Sequence, residues 1–308
     1  MAGKFPFKRV SPLSLKNSLG LSKYEDWNVG IVYESIKNFL KPNFKPRVHW
    51  LPKRKNGKIY ADPFGVSHNH GVTIFFEESD YLHRKSVISY IELKGTTPVN
   101  EPRTALELPI HISYPYIFQH QGETFCVPET AQAGEISLYK CEYFPDRWKK
   151  VNTLIDNAAG IDSTLFNYEE RWWLICTLAG KDLLSNLHIW HAPDLLGPWR
   201  PHHKNPVKSD IRSARPAGAP FISDGYLYRP AQDCSKTYGG RIIINKVTKL
   251  TPEQFSEEPA SVVEPFRDGP YPDGIHTISA VNDMTLIDGK CFKLKLTAAL
   301  RSLIQKLR

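Results

Sequence analysis

The chain has 308 residues, a formal net charge of +8, and 41% hydrophobic and 23% charged residues, which is ordinary for a soluble globular protein with a hydrophobic core. No run of roughly 18 apolar residues occurs, so we expect no transmembrane helix. The 24 Pro, 19 Gly and 12% aromatic residues indicate many short strands and turns rather than long helices.

The five cysteines are scattered, odd in number and without the CxxC spacing of metal sites: Cys126, Cys141, Cys176, Cys234 and Cys291. We interpret them as free, mostly buried thiols. The basic N-terminus is not followed by the apolar segment of a signal peptide. Both features predict a cytoplasmic location.

The positive charge suits an acidic partner, such as a nucleotide-sugar phosphate, a lipid phosphate, an anionic membrane or nucleic acid. No helix-turn-helix, zinc-finger or RNP pattern occurs, so no nucleic-acid partner is expected. Local basic runs, such as residues 53–55, are interpreted as solvated loops.

The first elements precede the repeated part of the chain. Residues 1–26 read as a basic arm, and alternation over Trp27–Tyr33 predicts a strand. A short helix is expected over Tyr33–Leu40, ended by Pro42, and a further strand over Arg47–Pro52.

Five similar strand openings then recur at intervals of roughly 50 to 60 residues, near the spacing of a four-stranded propeller blade. They are Asp62–Val66, Tyr114–Phe118, Asp162–Phe166, Gly218–Ile222 and His276–Ala280. Each of the first four is followed by a short turn and a second apolar strand. We therefore predict an all-β fold, a five-bladed β-propeller over residues 27–295, because radial repetition leaves only short strand edges. The early strands are expected to complete the fifth blade, and a β-sandwich is the alternative.

The C-terminal segment, residues 296–308, has leucine and isoleucine at helical spacing with basic residues between them. It predicts a short amphipathic helix. Such a helix either docks on the domain or lies on an anionic membrane surface, so peripheral membrane association stays open.

In a propeller the first strand of each blade lines the central channel, so its first residues collect at one end. These residues are Asp62, Tyr114, Asp162, Gly218 and His276. Two carboxylates and a histidine facing a channel are costly to bury without a purpose. The alternative is that Asp62 and Asp162 cap strands by accepting backbone N–H bonds.

The ends of the second strands should lie close by. Apolar strands end there on Glu77 and Glu78, on Glu129, and on Gln232 and Asp233, and these residues would form a polar rim. Solvent exposure at a strand end is sufficient to explain Glu77. Blade four adds Arg215, Arg229 and Tyr238. The arginines are candidates to bind carboxylate, phosphate or sugar hydroxyl groups of a ligand. The alternative is that they pair with the carboxylates at this end of the channel.

Carboxylates on facing walls, with aromatic residues and arginine nearby, are the groups that glycosidic cleavage needs: an acid for the leaving oxygen and a second carboxylate. Other chemistries lack their motifs, since no P-loop, GxGxxG or GxSxG sequence occurs, and no cofactor is expected. His68 and His70 lack a carboxylate partner nearby in sequence, so no metal site is predicted.

The openings Ala61-Asp62-Pro63 and Ile161-Asp162-Ser163, with the late Gly274-Ile275-His276, resemble the five-bladed propellers of family 43 glycoside hydrolases. That resemblance implies that Asp62 is the general base, that Asp162 tunes the acid, and that Glu129 is the candidate acid. The glutamate that those enzymes place before Gly-Pro is absent here.

The chain also resembles the N-terminal propeller of plant glucosamine inositolphosphorylceramide transferases, because several motifs occur in the same order. They include Tyr60–Val66, Val127–Thr130, Ser213–Gly218 and Tyr228–Asp233. The likeness covers about residues 27–290, and the glycosyltransferase domain of the plant proteins has no counterpart here.

The sequence therefore predicts a carbohydrate-active enzyme, glycosidase-like, that cleaves or transfers a glycosyl group in surface-glycan metabolism. Asp62, Glu129 and Asp162 would be catalytic. The expected ligand-binding residues are Glu78, Tyr114, Arg215, Arg229, Gln232, Asp233, Tyr238 and His276. The alternative is a non-catalytic propeller that binds a glycan or a partner and supports a glycosyltransferase.

Overall fold

The structure is a computed structural model that describes residues 21–52, 57–80 and 85–296. Its first strands are β1 (Leu21–Val32) and β2 (His49–Trp50), with a 3-10 helix (Ile36–Leu40) between them. Strand β1 begins earlier than the predicted start at Trp27. The helix expected over Tyr33–Leu40 is present only as this short 3-10 turn, which the Ser35 hydroxyl caps by accepting from the Lys37 N–H.

Four sheets follow one another along the chain, and we call them blades one to four. Blade one contains β3 (Lys58–His68), β4 (Gly71–Asp80), β5 (Lys85–Lys94), β6 (Thr97–Pro98) and β7 (Arg103–Leu106). Blade two contains β8 (Ser113–His120), β9 (Glu123–Glu129), β10 (Ile136–Tyr143) and β11 (Arg147–Ile155), with a 3-10 turn at Ala131–Ala133.

Blade three contains β12 (Gly160–Tyr168), β13 (Arg171–Leu178), β14 (Asn186–Ala192), β15 (Arg200–Pro201) and β16 (Lys208–Ser209). Blade four contains β17 (Phe221–Ser223), β18 (Tyr226–Asp233), β19 (Arg241–Leu250) and β20 (Phe255–Val263).

The fifth blade joins the two ends of the described chain. Strands β21 (Ile278–Val281) and β22 (Met284–Leu296) pair with the N-terminal strands in the order β2-β1-β22-β21. The predicted five-bladed propeller, closed by the early strands, is therefore confirmed, and the β-sandwich alternative is wrong.

The propeller proper is the compact unit Trp27–Cys291. Residues 21–26 and 292–296 belong to a second unit, in which the Lys23 ammonium lies 3.4 Å from the centroid of the Phe292 ring. The predicted C-terminal helix falls on residues 297–308, outside the described residues, while Leu296 ends β22. No helix in the described ranges is long and apolar enough to cross a membrane.

Hydrophobic side chains fill the spaces between neighbouring blades. Phe64 of blade one meets Tyr114 and Tyr116 of blade two edge to face, with ring centroids 5.1 and 5.4 Å apart, a preferred aromatic geometry. All five cysteines are thiols rather than disulfides, and four of them are buried while Cys291 is partly exposed, as expected from the sequence.

Hydrogen bonds also tie the inner strands around the axis. The Gly218 N–H donates to the Tyr114 hydroxyl at 2.8 Å, and that hydroxyl lies 2.9 Å from Thr164 Oγ1. The Ser279 hydroxyl donates to the Pro63 carbonyl at 2.7 Å. These bonds fix the start of each inner strand relative to the next blade.

Candidate functional site

Four of the five residues predicted to begin the inner strands have a positive φ angle, and the fifth, His276, does not. Asp62, Tyr114 and Asp162 have positive φ angles of 54°, 41° and 51°, and Gly218 has a φ of 119°. In blades one to three a β-bulge interrupts the ladder to the second strand at this residue. A non-glycine residue in the left-handed region is uncommon, and bulges re-aim side chains near active sites. The repeat alignment made from the sequence thus matches a structural repeat.

Asp162 is held by blade four. Its carboxylate accepts two bonds from Arg215, at 2.6 Å from Nε and 3.3 Å from Nη2, and a third at 2.8 Å from the Gln232 amide. Its own N–H donates to Glu129 Oε2 at 3.4 Å. Asp162 and Arg215 are 3% and 7% exposed, so the pair is almost completely withdrawn from water.

A second carboxylate, Asp288 of β22, organises blade five and the start of blade one. It accepts bonds from the backbone N–H groups of His276 and Thr277 at 2.9 and 3.1 Å and of Asp62 at 3.1 Å. The His276 Nδ1 lies 2.5 Å from Asp288 Oδ2. Asp288 is completely buried, and its bonds to three backbone N–H groups hold its carboxyl group in place beneath the site.

Asp62 lies against this group. Its Oδ1 accepts from the Thr277 hydroxyl at 2.6 Å and lies 3.7 Å from His276 Nδ1. Burial, together with the negative charges of Asp162 and Asp288, raises the pKa of Asp62 to about 7 against the opposing effect of His276. Burial alone would lower the pKa of His276, but Asp288 and Asp62 outweigh it and raise the pKa to about 9.

Two glutamates complete the cluster from equivalent positions on the second strands. Glu77 pairs with Ala61, and Glu129 pairs with Ser113, the residue just before each bulge. Both side chains are only half-buried, unlike Asp62 and Asp162. Burial is the largest cause and Asp162 a smaller one of the raised pKa values, which are about 7 for Glu77 and about 8 for Glu129. At neutral pH a large fraction of both side chains is therefore a carboxylic acid.

The Ser86 hydroxyl lies between two oxygen atoms at this edge of the cluster. It is 2.9 Å from Glu77 Oε1 and 2.7 Å from the Ile112 carbonyl oxygen. A hydroxyl has one proton to donate, so an ionised Glu77 shares that proton with Ile112. A protonated Glu77 can instead donate to Ser86 and leave the Ser86 proton to Ile112, which is compatible with its raised pKa.

Aromatic rings form the remaining wall. Trp27 stacks on His276 with ring centroids 3.9 Å apart, and Tyr238 meets His276 edge to face at 5.3 Å. The Arg215 guanidinium carbon lies 5.1 Å from the Tyr238 ring centroid. The buried Lys290 ammonium bonds the Tyr238 carbonyl oxygen and Thr237 Oγ1, which fastens the segment that carries Tyr238.

One set of side chains in the described chain has the spacing of metal ligands. Single atoms of Asp62, His276 and Asp288 lie within 4.8 Å of one another. Because His276 Nδ1 already shares a proton with Asp288, a cation would have to displace that proton. The contacts present are those of an ion pair.

Seven of the predicted site residues come together at this end of the channel. They are Asp62, Glu129, Asp162, Arg215, Gln232, Tyr238 and His276.

Four others lie elsewhere. Arg229 is 1% exposed, and its guanidinium is bound by Glu257 at 2.6 and 2.8 Å, inside blade four. Asp233 bonds Arg241 and Ser235, and Glu78 pairs with Lys58 and Ser89. Tyr114 is completely buried, and its hydroxyl ties blades two, three and four together. We do not include these four residues in the site.

Five residues of the site were missed in the sequence: Trp27, Glu77, Thr277, Asp288 and Lys290. A signal for Glu77 was present in the repeat spacing. Glu77, Glu129 and Thr177 follow the aligned residues Asp62, Tyr114 and Asp162, respectively, by fifteen positions. Trp27, Asp288 and Lys290 come from the two ends of the propeller unit, and no sequence pattern links them to the repeats.

The fold and this cluster of carboxyl, arginine and aromatic groups define a glycan-related five-bladed β-propeller. The chain belongs to the family described as "Glucosamine inositolphosphorylceramide transferase 1, N-terminal", whose model matches residues 53–267.

Two plant relatives illustrate this membership. The chain is 34% identical over 203 residues to glucosamine inositolphosphorylceramide transferase 1 of Arabidopsis thaliana, covering 64% of this chain and 26% of the relative. It is 39% identical over 163 residues to the Oryza sativa subsp. japonica protein of the same name, covering 51% and 22%. The chain thus spans about a quarter of the length of these relatives.

Solved structures share the fold at low sequence identity. A family 117 glycoside hydrolase, Zg3597 from Zobellia galactanivorans, has a TM-score of 0.53 at 16% identity, covering 79% of this chain and 87% of that one. A family 43 β-xylosidase/α-arabinofuranosidase from a compost metagenome also has a TM-score of 0.53, at 13% identity, covering 78% and 91%. These likenesses concern the fold alone.

Proposed function

We propose that this propeller is a carbohydrate-active enzyme that cleaves or transfers a glycosyl group at the axial cluster. One observation carries the proposal: carboxyl groups from blades one, two and three meet Arg215 of blade four and His276 of blade five at a single end of the channel. Each depends on a separate part of the chain, and burying them together is costly unless it serves a purpose.

Glu129 is the proposed general acid. Its pKa of about 8 keeps it mainly protonated at neutral pH, as protonation of a leaving glycosidic oxygen requires. It is half-buried, in contrast to the buried Asp62 and Asp162. Asp162, fixed by Arg215 and Gln232, raises the pKa of Glu129, which is the action expected of a residue that tunes the acid.

Asp62 is the proposed base. The Thr277 hydroxyl and the His276 imidazolium orient and stabilise its carboxylate, so it can accept a proton from water or from an acceptor hydroxyl. A base with a pKa near the working pH is well matched to this task. Tyr238 would offer an apolar face and a hydroxyl to a sugar ring.

The glycan is proposed to be a glycoconjugate of a surface-glycan pathway, in keeping with relatives whose names specify transfer to inositolphosphorylceramide. The net charge of +8 suits an anionic glycoconjugate, or peripheral association with an anionic membrane. Membrane association stays a prediction.

A non-catalytic glycan- or partner-binding propeller is the second candidate, and one observation favours it. The matching family model describes the N-terminal part of much longer relatives, whose transferase activity need not reside in this part. In that case the carboxyls would bind sugar hydroxyls without turnover.

A screen of aryl-furanosides, aryl-pyranosides and nucleotide sugars with wild type and Asp62→Asn tests the proposal. We expect turnover of at least one compound by wild type and its loss in the variant. Binding of a sugar without turnover supports the second candidate instead. Turnover that is unchanged in Asp62→Asn removes Asp62 from the mechanism.

A further inference from the structure

A cavity of about 420 Å³ lies beside the axial site, where blade four meets the segment leading to His276. Its wall includes Asp233, Lys236, Arg241, Glu264, Arg267 and Asp273. This volume is within the usual range for small-ligand sites, of about 300 to 1,000 Å³. The site proposed above does not use the cavity.

One wall of the cavity is built as a fixed ion-pair network. Arg241 donates to Asp233 Oδ2 through Nε at 2.8 Å and to Glu264 Oε1 through Nη1 at 2.8 Å. Asp233 also accepts from the Ser235 N–H and hydroxyl. Burial would raise the pKa of Asp233, but Ser235 and Arg241 outweigh it and lower the pKa, so the carboxylate stays charged and engaged.

The wall carries three carboxylates and three cationic side chains, and these groups differ in whether they are already engaged. Asp233 and Glu264 share Arg241, and Asp273 has interactions of its own. Lys236 and Arg267 are exposed at the cavity and form no ion pair with any part of the chain that the structure describes. An arginine and a lysine converging on a polar cavity are the groups that bind carboxylate or phosphate oxygens.

We propose that this cavity binds an anionic group, a phosphate or a carboxylate, through Lys236 and Arg267. Thr237 would donate to the same ligand from the cavity wall, because its hydroxyl accepts from Lys290 and keeps its own proton.

The cavity and the axial site share one backbone segment. On β18 the Gln232 side chain points to Asp162, while the next residue, Asp233, lines the cavity. Thr237 and Gly240 line the cavity, and Tyr238 between them faces His276. One ligand could therefore place its sugar at the axial site and its anionic group here. This link between the two sites rests on the proposed function, whereas anion binding by the cavity does not.

The test is an amide-resolved NMR titration of the full chain with three probes: inorganic phosphate, methyl β-D-glucuronoside and methyl β-D-glucoside. The two glycosides differ in the carboxylate, and phosphate carries no sugar. We expect shifts in residues 233–241 and 264–273 with phosphate or with the glucuronoside, and at least tenfold weaker binding of the glucoside. Shifts with phosphate alone assign the cavity to phosphate, and shifts with the glucuronoside alone assign it to a carboxylate.

The double variant Lys236→Ala/Arg267→Ala should weaken anion binding at least tenfold. Lys249→Ala/Arg200→Ala is the charge-matched control, since Lys249 lies near the opposite end of β19, roughly 25 Å along the strand, and Arg200 lies in blade three. Equal binding by wild type and the first variant, or equal losses in the two variants, would overturn the proposal. If the cavity binds its anion but no compound reaches the axial residues, this inference stands and the proposed function fails.

Discussion

Arg215 Nε lies 2.6 Å from Asp162 Oδ2, and this buried pair joins the first strand of blade three to blade four. The same arginine lies over the Tyr238 ring and within 3.5 Å of its hydroxyl. Asp162 in turn raises the pKa values of Glu129, Asp62 and Glu77. The charge state of the carboxyl cluster therefore depends on the two hydrogen bonds that Arg215 donates to Asp162.

Replacing Arg215 should lower the free energy of unfolding. Arg215→Ala leaves the Asp162 carboxylate buried without its counterion, and removing one partner of such a pair costs about 3 to 5 kcal/mol. Urea denaturation measures this change in the free energy of unfolding. Arg212→Ala is the control from the same segment, because its pair with Asp210 is at the surface, and it should unfold like wild type. Equal stability of the two variants would contradict the buried pair.

His276 should titrate well above an ordinary histidine. With a pKa of about 9 in the folded protein, its charged form adds stability below pH 6.5, and this contribution is lost as the pH rises through 9. NMR of histidine-labelled protein measures the midpoint directly. Asp288→Asn should lower the midpoint markedly, because the nearest anion is gone. A wild-type midpoint at or below 6.5 would be incompatible with the arrangement.

Glu77 and Glu78 are neighbours in the sequence, but Glu77 lies in the carboxyl cluster and Glu78 forms an ion pair with Lys58. The two residues are therefore a matched pair for mutation. The folded-state pKa of Glu77 is raised, so its contribution to stability is full below about pH 4.5 and is lost as the pH rises through 7. Glu77→Gln keeps an uncharged hydrogen-bonding partner for Ser86 and should stabilise the protein at pH 8 by about 1 to 3 kcal/mol.

Thermal unfolding of Glu77→Gln and Glu78→Gln at pH 4.5 and pH 8 checks this prediction. Glu78→Gln removes a carboxylate that pairs with the half-exposed Lys58, so it should not reproduce the gain at high pH. If Glu77→Gln changes stability equally at both pH values, Glu77 carries no proton in the folded state.

Gly218 should tolerate no side chain. Its φ of 119° is one that L residues rarely adopt, and a Cβ there would lie 1.8 Å from the Ile278 carbonyl oxygen. Gly218→Ala should therefore destabilise the propeller by about 3 kcal/mol or more. Gly225→Ala, also at positive φ but in open space, should cost only about 1 kcal/mol. Calorimetry of both variants separates the cost of the clash with Ile278 from the cost of a positive φ angle alone.

The repeats made the fold predictable from the sequence. Asp62, Tyr114, Asp162 and Gly218 were aligned by their sequence context, and all four have positive φ at the same place in their blades. Closure by the early strands followed from the fifth repeat, which runs out before a full blade is formed.

The orientation of individual side chains was harder to predict, because neighbours on a strand face opposite sides. On β18, Gln232 faces Asp162, whereas Arg229 and Asp233 face the other side and meet Glu257 and Arg241. The choice of Glu78 over Glu77 has the same cause, since the bulge at Asp62 shifts the register of the ladder. Asp288 could not be found this way, because its partners lie on strands distant in the sequence.

The most direct test of the central claim is how the rate of Glu129→Gln depends on the leaving group of the aryl glycoside that wild type turns over. A general acid matters for poor leaving groups and little for good ones. We predict that Glu129→Gln loses about 10²- to 10⁴-fold in kcat/KM with a phenyl glycoside and recovers most of it with the dinitrophenyl glycoside, while Asp62→Asn loses activity with both. Equal activity of wild type and Glu129→Gln on the phenyl glycoside would contradict the account.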